Sequence, residues 1–81
     1  MPFELFSDVI LIQDLPGEDL KAGDVGTVVE RHVVPGTEDG YSVEVFDMTG
    51  ATVAVVTVPA SLLRSPTNAD RPTVRAMAGG V

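Results

Sequence analysis

The chain has 81 residues, 44% of them hydrophobic, no cysteine and a net charge of −7. At this length only about 60–65% of the unfolded surface can be buried, so one small domain with a thin core is expected. Without cysteine there is no disulfide framework, no thiolate metal site and no cysteine nucleophile, which fits a reducing cytoplasm.

The first element is "DVILIQ" at 8–13. Its apolar run "VILI" is far short of the ~18 residues of a membrane span, and no positive region precedes it. A soluble, cytoplasmic protein without membrane contact is expected. Three further stretches, "GTVVERHVV" (26–34), "YSVEVF" (41–46) and "ATVAVVTV" (51–58), are rich in β-branched and aromatic residues and read as strands. No window holds a helical apolar stripe free of Gly or Pro, which limits helix to single turns.

Between the first two strands lies a long irregular segment, "LPGEDLKAGD" (15–24), which ends in "GDVGTVVE" (23–30). The two glycines precede a strand, so no helix N-terminus is available to hold a phosphate. In their structural reading Gly23 permits the turn, Asp24 caps it, and Gly26 leaves room where the loop crosses the barrel as Val28 enters the core. "PGTEDG" (35–40) predicts a hairpin with Gly40 at positive φ, and "DMTG" (47–50) a second, with Asp47 bonding the backbone and Gly50 closing the turn. A three-stranded antiparallel meander follows. In "PASLLR" (59–64), Pro59 sets the start of one 3₁₀ turn, and a short fifth strand begins near Leu63. The expected fold is all-β, a small SH3-like barrel of about five antiparallel strands over residues 1–64, with residues 65–81 as a C-terminal tail.

"KAGDVGTVVE" is similar to the KOW-type element of ribosomal and transcription-factor barrels. A wider likeness runs over most of 8–64: "DLPGEDLKAGDVGTVVE", "YSVEVFD" and "AVVTVPASLLR" together resemble the small bacterial family known as domain of unknown function 4926. The matching positions are Leu15, Pro16, Leu20, Gly23, Gly26, Val28 and Val29, then Val56, Thr57, Pro59, Ala60, Leu63 and Arg64. The resemblance implies a fold and no activity. The stretch from His32 to Thr37 and the tail carry none of its motifs.

Chemistry finds few candidates. His32 is the only histidine, with Glu30 on the same strand face, and a metal site would need more convergent ligands than these. Asp14, Glu18, Asp19 and Asp24 lack the alternating spacing of a calcium loop and read as a solvated acidic loop. Ser7, Ser42, Ser61 and Ser65 have no nucleophile-elbow context, so a small hydrolase is the weakest alternative, and neither enzyme activity nor a cofactor is expected. Residues 1–64 hold eleven acids against three basic residues, a charge of −8 that repels a phosphate backbone, whereas 65–81 carry +1. A KOW-like nucleic-acid-binding role remains the alternative that this charge disfavours.

An interaction module is the remaining reading. "TVAVVTV" is apolar on both faces, Val53 and Val55 on one, Ala54, Val56 and Val58 on the other. With the surface around Phe46 and Leu11 these residues are the expected protein contact, and a homo-oligomer is expected through them. The acidic charge suits a basic protein partner, as for a small accessory subunit or an antitoxin- or immunity-type protein. Arg71 and Arg75 stand four apart beside Val74 and Met77. A short helix over "RPTVRAM" is expected to dock on an acidic, apolar surface of the barrel, in its own subunit or a neighbour.

Overall fold

The computed structural model describes residues 3–76. Five strands form one antiparallel sheet: β1 (Asp8–Leu11), β2 (Val25–His32), β3 (Gly40–Phe46), β4 (Thr52–Pro59) and β5 (Leu63–Arg64). Their order across the sheet is β4-β3-β2-β1-β5. The meander β2-β3-β4 is as expected, and β1 leaves it to pair with the two-residue β5 through Ile10↔Arg64 and Leu11↔Leu63. Among the described residues no ladder joins β4 to β5, so the hydrogen-bonded sheet is open, with those two strands at its edges.

Strand alternation builds the core. Val9 and Leu11 of β1, Val28 of β2, Tyr41, Val43 and Val45 of β3, and Val56 and Val58 of β4 point to one side, where Leu20 and Leu63 join them. Cross-strand partners Val28↔Val43↔Val56 stack in one row and Tyr41↔Val58 in the next. Tyr41 is fully buried, and its hydroxyl accepts the Phe3 N–H at 3.0 Å while the two rings meet edge to face at 5.3 Å. This contact fastens the N-terminal segment across the core. Gly26 belongs to the same inner face. A Cβ there would overlap Val43 Cγ1 and stand 3.0 Å from the Glu44 carbonyl. Only a residue without a side chain lets β2 approach β3 so closely.

Several turns differ from their expected form. The long first loop contains a 3₁₀ turn of its own, Pro16–Glu18, so the described residues hold two such turns. Pro16 presets its first φ, Asp19 closes it at φ 55°, and Leu15 and Leu20 exchange backbone hydrogen bonds beneath it. Leu20, 2% exposed, plugs this loop into the core. In the β2–β3 connection the positive φ belongs to Gly36, at 83°, and not to Gly40, which opens β3 opposite both His32 and Pro59. β2 stops at His32, two residues early, so the turn is longer and bends further from Gly40. Gly23 and Gly50 do take positive φ, 96° and 88°. Asp47 anchors the second hairpin: one carboxylate oxygen accepts the N–H of Thr49 at 2.8 Å and of Ala51 at 3.0 Å. Pro59 ends β4 in an extended conformation and precedes the second 3₁₀ turn, Ala60–Leu62, which Glu38 holds by accepting from the Ser61 N–H and hydroxyl.

Candidate functional site

The outer face of the sheet is organised in three rows. At one end, Ile10, Val25, Phe46 and Val53 occupy neighbouring outward positions on four strands; the bulge between Val45 and Phe46 displaces the last two slightly from register. The middle row is Asp8, Thr27, Glu44 and Val55. The far end is polar, with Glu30, Ser42 and Thr57 aligned and His32 beside them.

In the apolar row Val25 is 48%, Phe46 44% and Val53 54% exposed, and Met48 in the adjoining turn stands out at 86%. Ile10, outward as well, is nearly buried and lies outside the core cluster. It borders a groove of 1110 Å³ between this row, the first loop and the tail. The tail reaches that position through two arginine clasps. Arg64, leaving β5, gives both terminal nitrogens to Asp70, at 2.9 and 2.7 Å. Asp70 also accepts the Thr67 N–H, so residues 67–70 close a turn under the arginine. Farther on, Arg75 grips Asp24 with Nε at 3.1 Å and Nη2 at 2.5 Å, and Nη2 also reaches the Asp19 carbonyl at 3.2 Å. Such two-pronged arginine–carboxylate pairs are the strongest of the charge-assisted hydrogen bonds.

These clasps set the local titration. The Arg64 guanidinium and the Thr67 N–H hold the Asp70 carboxyl well below the usual carboxylate range. For Asp24, burial pushes upward, and the Arg75 guanidinium with the Lys21 N–H outweighs it, leaving the carboxyl below its ordinary value. The first-loop acids serve the loop as well. Asp24 accepts the Lys21 N–H at 2.9 Å, the capping role expected of it, and Asp14 accepts the Ala22 N–H at 2.8 Å.

The expected contact residues divide between the two faces. Phe46, Val53 and Val55 are exposed, whereas Leu11, Val56 and Val58 are core residues and Ala54 is half-buried against them. Alternation gives the second set to the core, so only the first can meet a partner. In the tail, Arg75 reaches the body, but residues 71–76 form no helix. So short a segment cannot nucleate one alone, Pro72 biases Arg71 toward extended backbone, and Arg75 is drawn to Asp24. Val74 is 81% exposed, Arg71 bonds the carbonyls of Asn68 and Asp70, and Met77 lies outside the described residues.

One cluster was not foreseen. The His32 Nε2 stands 2.8 Å from the Ser42 hydroxyl, which is 2.9 Å from that of Thr57, and Glu30 approaches the same Nε2 at 3.8 Å. A serine nucleophile needs its base oriented by an acid on the other ring nitrogen. Here serine and acid face the same nitrogen, and Ser42 is 7% exposed and shared with Thr57. The only hint in the sequence was the strand spacing of Glu30 and His32. Among the described residues no group of three or more His, Asp or Glu could hold a metal ion, and no helix is long and apolar enough to cross a membrane.

The matched span of the chain is residues 5–65, which fit the family described as Domain of unknown function (DUF4926); it takes in 32–37 and ends at the start of the tail. No curated protein and no solved structure matches the chain.

Proposed function

The chain belongs to this DUF4926 family, which brings no activity with it, and we propose that it is a non-enzymatic protein-interaction module whose contact surface is the apolar end of the outer sheet face. The observation that carries this reading is the cluster of Val25, Phe46, Met48 and Val53, all at least 44% exposed and continuous with Val55 on the edge strand β4. Exposed apolar residues gathered at one place mark contact surfaces, whereas scattered ones do not. β4 adds a free edge of eight residues without a single charge, the kind of strand that pairs with another chain, and self-association through it is part of the proposal. The acidic first loop beside the cluster favours a basic partner, in keeping with an accessory subunit or an antitoxin- or immunity-type role in the cytoplasm.

The KOW-like alternative has less support. Three of the five basic residues, Arg31, Arg64 and Arg75, are already paired with Asp39, Asp70 and Asp24. Little positive charge is left for phosphates. The test is affinity capture from the native host with the wild-type chain and with Val53→Lys. A partner retained by the first and lost by the second supports the reading; identical captures by both overturn it.

A further inference from the structure

The groove beside the apolar row has a second bank, and it is built for one kind of group. Around the Arg75 guanidinium stand three acceptors: both oxygens of Asp24, a side chain 19% exposed, and the Asp19 carbonyl. The loop that carries them is fixed independently of the tail. Leu20 is plugged into the core, Leu15 and Leu20 bond each other's backbone, and Gly23 donates to the Leu11 carbonyl at 2.7 Å. The seat is therefore fixed without the tail, whereas its occupant is held there through the Arg75 clasp. Residues 71–76 have no regular structure, Val74 projects into solvent, and Arg75 is the one residue among them whose side chain bonds the body of the domain. Asp19 and Asp24 fall inside the matched 5–65 span, and Arg75 falls beyond it.

We infer that this groove receives an extended, arginine-bearing segment of a partner protein, its arginine seated on Asp24 and the Asp19 carbonyl, in the place that the chain's own residues 71–76 occupy. The inference rests on the protein-interaction reading and names the partner chemistry for one end of that surface. The tail is an intramolecular stand-in that the partner's segment must displace. The cis copy competes at the effective concentration that its tether sets, and a partner's segment exceeds it by adding contacts to the apolar row. The apolar row of Val25, Phe46 and Val53 lies along the same groove, so the residues flanking the arginine should be apolar or small.

The test uses the full-length chain, its Arg75→Ala and Asp24→Asn variants, and a synthetic peptide of residues 66–76, followed by amide NMR titration. Arg75→Ala empties the seat, so the peptide should shift the amides of 19–25 and bind about fivefold or more tightly than it binds the wild-type chain, where the tail competes. The same peptide with alanine in place of its final arginine should leave those amides unmoved, as should the original peptide added to Asp24→Asn. If Asp24→Asn fails to fold, the alanine peptide alone decides the point. Equal affinity for wild type and Arg75→Ala, or no shifts in Arg75→Ala at millimolar peptide, overturns the inference. The capture experiment with Val53→Lys separates the two proposals: a host partner still lost on Val53→Lys, with no peptide binding, sinks the arginine seat and leaves the interaction reading standing.

Discussion

Gly26 on β2 lies so close to Val43 on β3 that no Cβ fits between them, and the Glu44 carbonyl closes the same space from the backbone side. Because the obstruction includes backbone, it cannot be relieved by one rotamer change. Gly26→Ala is expected to destabilise the fold by about 1–3 kcal/mol, the usual range for overpacking a core. Urea denaturation measures it. Gly40→Ala is the control, since a Cβ there meets the His32 Cβ and the Val58 carbonyl at 3.8 Å, ordinary contact distances.

The two faces of β4 predict opposite responses. Val56→Ala removes buried methyl groups from the row Val28↔Val43↔Val56 and should lower stability by more than about 1 kcal/mol, leaving any self-association of the folded chain intact. Val55→Lys, at a residue 58% exposed, should change stability by no more than about 0.5 kcal/mol. It should abolish association through that edge. Light scattering over a range of concentrations distinguishes them, and a wild-type chain that stays monomeric at every concentration would remove β4 self-pairing from the proposal.

Tyr41→Phe keeps the ring against Phe3 and deletes the oxygen that accepts the Phe3 N–H. The expected loss is about 0.5–1.5 kcal/mol, with the first effect at the N-terminal segment. Hydrogen exchange should show residues 3–7 less protected while β3 and β4 are unchanged.

The clasp carboxyls predict a local acid transition. Asp70 titrates in the fold below its unfolded value of about 3.9. Its contribution is therefore complete above that pH and is lost as the pH falls below it toward the folded value. The Thr67 amide, which donates to Asp70 at 2.7 Å, reports this directly. Its chemical shift should hold steady from pH 7 to about pH 4 and move only below. Movement centred near pH 5 or higher would contradict the pairing. A local probe is the right one, because acidification also relieves the repulsion of a chain carrying −7.

The strands were legible because their signal is local. β-branched alternation at 41–46 fixed Tyr41, Val43 and Val45 as inward residues, and the glycines at 23 and 50 marked turns that need positive φ. A need for room at Gly26 was legible as well, but it was expected where the loop crosses the barrel, and the residue proved to lie within β2 against β3. Which apolar face of 51–58 the core takes was not legible. With valine or alanine on both sides, alternation alone leaves the choice to the partner strand, and Val56 and Val58 proved to be core because they lie opposite Val43 and Tyr41. The same holds for the turn at 35–40, where Gly36 and not Gly40 bends the chain: once Gly40 pairs with both His32 and Pro59 it is held extended. The arginine seat is the extreme case. Arg75 and Asp24 are 51 residues apart, and the sequence pointed to a basic tail on an acidic surface without saying which acids receive it or in what backbone form. Short-range periodicity therefore determined the elements and most of their turns. The choice of buried face, and the pairing of tail with loop, came from contacts between distant segments, which only the folded chain brings together.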